Sequence, residues 1–230
     1  MSKNKSTATL WKNVHKLGSW ATDHDFPTAN AIAFNRYHVN PYAKEKKEKN
    51  LGDLTFLDIG CGSGANVVYL GGFGYDISAI DCSNKAVQKT LNNAKQVGIG
   101  VNAEIADFKN LPFDDNSFDA ILSDGVFYYG DESSFKTAVK EAYRVLKKNG
   151  LLRVYTKSNR DFMAIKSNRV SINTYMIKTG YEKGMTVHCA PKDLIMTIFS
   201  AFKDVKIGIE EFNYIGTADL KSFWIITAVK

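Results

Sequence analysis

Covalent and cyclic constraints are scarce in this chain: three cysteines and four prolines stand among 230 residues. Cys61, Cys82 and Cys189 are odd in number and share no metal-ligand spacing, so neither a disulfide framework nor a cysteine-held metal is expected. That usage fits a reducing compartment, and the expected location is the cytoplasm. No apolar run approaches the roughly 20 residues that cross a bilayer, so no membrane partner is expected. The opening stretch, MSKNKSTATLWKNVHK, lacks the apolar centre of a secretory signal. Internal repeats and low-complexity tracts are missing too. So is a continuous basic face with interleaved aromatics. The net charge of +6 gathers in SKNK (residues 2–5) and AKEKKEK (residues 43–49), and the second run mixes signs as a solvated linker does. A nucleic-acid partner is therefore unexpected.

What is present suits one α/β domain: 230 residues, 44% hydrophobic and 23% charged. The most informative stretch is LTFLDIGCGSGANVVYL, residues 54–70. An apolar run ends at Asp58; Gly60, Gly62 and Gly64 follow at every second position; a helical pattern then opens with Val67, Val68 and Leu70. Strand, glycine loop and helix start offer a ligand close approach to the main chain and unpaired N–H groups. Further strands are expected at 75–80, 101–105, 118–123 and 151–156, and helices at 65–72, 84–97, 133–148 and 191–202. This alternation predicts a doubly wound, mostly parallel sheet with helices on both faces. Strands near 204–211 and 222–229 have no helix between them, which predicts a C-terminal antiparallel hairpin. Residues 1–50 carry no strand signal and are expected to form a helical cap, with a helix start at Asp25-Phe26-Pro27-Thr28. Residues 160–188 show no clean periodicity and are expected to be a lid that recognises substrate, set into a main domain spanning 51–230.

The loop alone leaves the cofactor open, because Gly60-x-Gly62-x-x-Ala65 also satisfies a dinucleotide fingerprint. Asp81, ending the second strand, would hold a ribose in either case. Three features separate the readings. Asp58 beside the loop would repel a pyrophosphate and attract the ammonium of S-adenosylmethionine. Asp107 and Phe108, in DFKNLPFDDNSFD, offer an acceptor and an apolar wall to adenine. The terminal hairpin is foreign to dinucleotide domains. In order and spacing, LDIGCGSG, the acidic end of strand two, DFKNLPFDDNSFD and RVLKKNGLL resemble the class I (Rossmann-like) S-adenosylmethionine-dependent methyltransferases, of the type 11/25-like group. The resemblance covers residues 52–157 and the hairpin in outline. It implies a seven-stranded sheet, with S-adenosyl-L-methionine as cofactor and S-adenosyl-L-homocysteine as product. It further implies that Asp58, Gly60, Cys61 and Gly62 line the methionine moiety, that Asp81 and Cys82 meet the ribose, that Asp107 and Phe108 hold the adenine, and that Ser123 lies beneath the sulfonium.

Methyl transfer needs alignment of a nucleophile with the S–CH₃ bond, and a base only where the nucleophile starts with a high pKa. Asp124, Tyr128 and Tyr129 follow the fourth strand, where ligands of open α/β sheets bind. Asp124, Tyr129 and His188 are the catalytic candidates; Tyr128, Arg160 and Tyr181 are the substrate-binding ones, Arg160 as a clamp for a carboxylate or phosphate. Trp20 and Arg36 are the N-terminal residues expected in the cofactor pocket. The strand-four segment SDGVFYY lacks the Asn/Asp-Pro-Pro-aromatic signature of base-amino methylases, and no cysteine stands there for cytosine C5 chemistry. A small-molecule acceptor with an O or N nucleophile, in natural-product, cofactor or surface-glycan metabolism, is expected, on a monomer or homodimer. An RNA or protein methyltransferase, a nicotinamide oxidoreductase and a non-catalytic cofactor-binding partner remain open at this stage.

Overall fold

The computed structural model describes residues 26–46, 50–166, 168–213, 215–217 and 219–230. Helix α1 (Ala29–Phe34) passes through a π-helical turn (Asn35–Val39) into α2 (Asn40–Glu45). Thr28 starts it: its backbone is extended and its hydroxyl accepts the Ala31 N–H at 3.1 Å, as an N-cap does. Alternating elements follow: β1 (Thr55–Ile59), α3 (Ala65–Gly71), β2 (Asp76–Asp81), α4 (Asn84–Gln96), β3 (Asn102–Ile105), β4 (Phe118–Asp124), α5 (Glu132–Val145) and β5 (Leu146–Lys157). A short α6 (Met163–Lys166) leads into β6 (Asn168–Ser171), β7 (Thr174–Met176) and β8 (Thr186–His188), and α7 (Lys192–Ile198), β9 (Lys203–Phe212) and β10 (Lys221–Val229) complete the chain.

The main sheet has seven strands in the order β3-β2-β1-β4-β5-β10-β9. The first five run parallel, and β10 inserts antiparallel between β5 and β9. This is the doubly wound sheet and terminal hairpin that the sequence predicts. Its order reverses between β1 and β4, where Ile59 pairs with Ile80 on one side and Ser123 on the other. Neighbouring connections leave in opposite directions there, so a crevice opens beyond the strand ends. No helix among the described residues is long and apolar enough to cross a membrane.

Two core clusters flank the sheet. On one face α5 buries Phe135, Ala138, Val139, Ala142 and Val145 against Ile121, Leu152 and Ile226. On the other, Ala31, Phe34, Val39 and Ala43 of α1–α2 share a core with Phe56, Leu70 and Ile77. Tyr75 donates its single hydroxyl proton within a pair of 2.7 Å contacts to Asn35 Oδ1 and Asn40 Oδ1, holding the π turn to the domain. Residues 26–46 are thus built into the domain core.

Two expectations need correction. The helix expected over 133–148 ends at Val145, because Leu146 pairs with Phe118 as the start of β5. Lys147 turns instead to the buried Asp119, at 2.7 Å. The segment 160–188 is more regular than its pattern suggests: β6, β7 and β8 form a small antiparallel sheet. Strands of three or four residues are too short to show a period of two.

Asp119 ties the lower edge of this fold together. It is 2% exposed and accepts from Lys46, Lys147, the Thr55 N–H and hydroxyl, and the Tyr42 hydroxyl. Burial by itself would raise its pKa, but the Lys147 and Lys46 hydrogen bonds outweigh it and hold the carboxyl at about 2. The folded value lies below the unfolded value of about 3.9, so the stabilisation is full above pH ~4 and fades as the pH falls through ~2. Asp119→Asn should therefore lose about 2–3 kcal/mol at pH 7 by urea unfolding, and the gap from wild type should close towards pH ~2. A gap independent of pH would show that packing, not charge, is lost.

Candidate functional site

The loop after β1 makes the turn that opens the crevice. Gly60 has φ +82° and its N–H, with that of Cys61, donates to the Ile80 carbonyl at 2.8 and 3.0 Å, stitching the loop to β2. A Cβ on Gly60 would stand 2.2 Å from Val126 Cγ2. Gly64, at φ +85°, lies so near α4 that its Cβ would meet Thr90 Cα at 2.8 Å. Gly62 also has positive φ, but nothing lies within 4 Å of where its Cβ would be. Two glycines therefore serve packing, and the middle one keeps the loop surface open to the crevice.

Acidic groups converge around this loop. Asp81 accepts the Gly62 N–H at 3.1 Å and the Ser83 N–H at 2.9 Å. Asp58 lies beneath, 2% exposed, and its Oδ2 has no hydrogen-bond partner among the described residues. Burial, then the charges of Asp124 and Asp81, push its pKa up to about 8. Ser123, the partner of Ile59 in the sheet, is fully buried, its hydroxyl likewise without a partner among the described residues. After β3, Asp107 Oδ1 accepts the Lys109 N–H at 2.9 Å, and the Phe108 ring packs 5.8 Å from Phe127.

These groups border a cavity of about 630 Å³, within the ~300–1,000 Å³ typical of small-molecule sites. On one side it meets Gly60, Cys61, Gly62, Asp81, Cys82, Asp107 and Phe108. On the other it meets Asp124, Tyr128, Tyr129 and Tyr181. Asp58 and Ser123 are not among its lining residues. Asp124 is held by the Thr28 hydroxyl and by Asn30 Nδ2 at 3.4 Å, and Thr28 is also bound to Asn66 Oδ1 at 2.9 Å. Burial raises the Asp124 pKa, against the opposing pull of Thr28, Asn30 and Arg153.

Besides Asp58 and Ser123, three expected site residues, His188, Arg160 and Arg36, are not brought to this cavity. His188 is 1% exposed; its N–H donates to the Tyr128 carbonyl at 2.7 Å, its Nδ1 lies 3.2 Å from the Thr174 hydroxyl, and its ring faces Phe135. Burial lowers its pKa, partly offset by Glu132 and Asp131. Arg160 is exposed and pairs outward with Glu211 at 3.1 Å. Arg36 is exposed over Tyr37, because the buried face of its helix is set by Phe34, Asn35 and Val39. Trp20 lies outside the described residues. Sequence reasoning missed Thr28, Asn66, Tyr155 and Phe223 as lining residues. Thr28 was read in the sequence only as part of a helix start; Phe223 carried no signal, as it arrives from the far end of the chain.

The steric reading of the loop is testable. Gly60→Ala should destabilise the fold by at least about 2 kcal/mol in denaturant unfolding, combining left-handed strain with overpacking against Val126. Shortening that neighbour in Gly60→Ala/Val126→Ala should restore part of the loss; no recovery would assign the whole cost to the backbone.

Comparison with known proteins agrees with this geometry. Residues 57–154 match the family model described as a methyltransferase domain. The uncharacterized methyltransferase YodH of Bacillus subtilis is 32% identical over 100 residues, covering 44% of this chain and 42% of that protein. The chain thus spans about two fifths of the length of the first curated relatives it matches. In fold it is similar to a SAM-dependent methyltransferase from Methanosarcina mazei (TM-score 0.63, 19% identity, 83% of this chain and 97% of that one). It is also similar to a protein solved in work on the conversion of a disulfide bond into a thioacetal group during echinomycin biosynthesis (TM-score 0.65, 17% identity, 97% of this chain and 92% of that one). With its glycine loop, acidic strand ends and reversed sheet order, the chain carries a match to the methyltransferase domain family over residues 57–154 and has the fold of the solved S-adenosylmethionine-dependent methyltransferases it resembles.

Proposed function

We propose that this protein transfers the methyl group of S-adenosylmethionine to a small-molecule acceptor. The observation that carries the reading is the buried, unpartnered Asp58 oxygen at the base of an open glycine loop, with Asp81 and Asp107 lining the cavity the loop borders. The carboxylates of Asp81 and Asp107, at the ends of neighbouring strands, are repulsive to a pyrophosphate and favourable to a ligand with cationic groups. This counts against a nicotinamide dinucleotide.

The residues fit the cofactor part by part. Gly60, Cys61 and Gly62 border its methionine portion, with the buried Asp58 carboxyl ionising as the cationic ligand binds. Asp81, braced by two backbone N–H groups, is the acceptor for the ribose hydroxyls. Asp107 accepts from the adenine amine while Phe108 covers the ring. When bound, S-adenosylmethionine supplies a methyl carbon made electrophilic by its sulfonium. The protein aligns the acceptor beyond β4, with Asp124 and the tyrosines as its wall, and excludes water. Residues 26–46 close one side through Thr28, and residues 160–188 close the other through Tyr181; we assign them as cap and lid.

Calorimetric titration with S-adenosylhomocysteine, and with NAD as control, tests the cofactor assignment. Selective binding near one per chain is expected, and Asp81→Ala should weaken it at least about tenfold, or 1.4 kcal/mol. Binding of NAD alone would overturn the reading. A second test uses the Asp58 carboxyl, which is neutral at pH 7 because its pKa stands at about 8. A cationic ligand draws the proton off, so S-adenosylmethionine binding at pH 7 should release up to about one proton, measured in buffers of different ionisation enthalpy. Asp58→Asn should bind without that release; an unchanged release would place the proton elsewhere.

A further inference from the structure

The acceptor side of the cavity has an unusual hydrogen-bonding polarity. Tyr129 gives its hydroxyl proton to Glu182, a residue of the 160–188 segment. Tyr155 gives its proton to Glu210 on β9, at 2.6 Å. Tyr128 donates to the Tyr129 oxygen at 3.3 Å. A phenol has one proton, and an ionised carboxylate can only accept. Tyr128 and Tyr155 therefore turn lone pairs, and no hydrogen, towards whatever enters, with Tyr129 relaying the Tyr128 bond to Glu182. The hydroxyls nearby are committed in the same sense: Thr28 donates to Asp124, and Ser134 donates to Asp131 at 2.8 Å. Tyr181, 45% exposed, stands at the mouth.

Cationic side chains are absent from this side among the described residues. The lining lysine, Lys109, belongs to the Asp107 loop at the opposite end. Lys157 lies behind the wall, against the Tyr128 and Phe223 rings at 5.1 and 4.4 Å and 3.4 Å from Asp161. Arg160, the clamp expected for an anion, faces away towards Glu211. An anionic acceptor would meet no cationic side chain on this side among the described residues, and would face the lone pairs of Tyr128 and Tyr155. The remaining surface is flat and apolar, with the Tyr155 ring stacked on Phe223 at 4.4 Å.

We infer that the acceptor is an amine carried on a flat apolar body, and that the methyl group goes to nitrogen. This rests on the methyltransferase reading above. The ammonium donates to phenol oxygens whose own protons point at carboxylates, so each bond is strengthened by the charge behind it. The same chain deprotonates the amine: one N–H proton passes to Tyr128, the Tyr128 proton to Tyr129, and the Tyr129 proton to Glu182, which is partly exposed and returns it to water. The freed nitrogen lone pair then forms the N–C bond as the S–C bond breaks, its electrons staying on sulfur.

Three probes with one body separate the alternatives: tyramine, 4-ethylphenol and 3-(4-hydroxyphenyl)propionate, each titrated into protein loaded with S-adenosylhomocysteine. Tyramine should bind at least about tenfold more tightly than either of the others. Glu182→Gln/Glu210→Gln should lose most of that preference while S-adenosylhomocysteine affinity stays unchanged. Equal binding of 4-ethylphenol, preference for the propionate, or no tyramine binding would each overturn the proposal. Failure to load S-adenosylhomocysteine would instead count against the cofactor assignment, and the same three titrations on the cofactor-free protein would still decide the amine preference.

Discussion

The pairing of β1 with β4 at the centre of the sheet is the constraint on which the rest depends. Connections from β1 run to β2 and β3 on one side, and those from β4 to β5 on the other. The two halves leave a crevice where they part, and everything proposed to bind ligand stands at its rim. The loop that leaves β1 must turn within a few residues without filling that crevice. Gly60 and Gly64 meet the first demand, by lying against Val126 and Thr90; Gly62 meets the second. The lower end of the same strand pair is held by Asp119, which takes hydrogen bonds from Thr55 of β1 and from Lys46 and Lys147 of the flanking segments. One buried carboxylate, fully paired, fixes the sheet at its base.

The carboxylates at the upper end are arranged in the opposite way. Asp58, Asp81 and Asp124 come from three different strands and raise the pKa of Asp58 together with burial. Such a group opposes folding when it ionises, because the charge has no partner to offset desolvation. A cation arriving above the glycine loop removes that conflict. The cost in the empty protein and the affinity for a cationic ligand are then two sides of one interaction, and strain of this kind belongs at functional sites.

Much of the fold was legible because its signals are local. The apolar run 54–59 followed by glycines at alternate positions, the stripe Phe135–Val139–Ala142 of α5, and two strands without an intervening helix each announce an element within about a dozen residues. Asp81, Asp107 and Phe108 were legible for a related reason: they occur just past strand ends, and the parallel sheet delivers all such positions to one rim. What the sequence concealed depends on distant partners. Arg160 looked like a clamp until β9 supplied Glu211, and His188 looked available until β7 and α5 enclosed it. The phenol polarity of the acceptor side was invisible, because Tyr129 and Glu182 are 53 residues apart and Tyr155 and Glu210 are 55 apart.

His188 gains a different meaning from this enclosure. Its backbone donates to the Tyr128 carbonyl, Gly130 donates to the Thr186 carbonyl at 2.8 Å, and Tyr129 bridges to Val187. Strand β8 is therefore a backbone extension of the very loop that carries the acceptor-side tyrosines. Met163, Ile177, Met185 and Val187 pack beneath Tyr128 and Tyr129 as one small core. Wall and proposed lid form a single packed unit, so opening the lid at its base would break backbone hydrogen bonds and expose that core. Access is instead cheapest at the tip, where Lys178–Gly180 and Tyr181 are exposed and Glu182 reaches back to Tyr129. The residue that closes the tip is thus the same one that sets the polarity of the phenols. If this segment is the proposed lid, entry of an acceptor and the chemistry it meets are coupled through one hydrogen bond, and variation of the tip changes substrate choice while β4 and the glycine loop stay as they are.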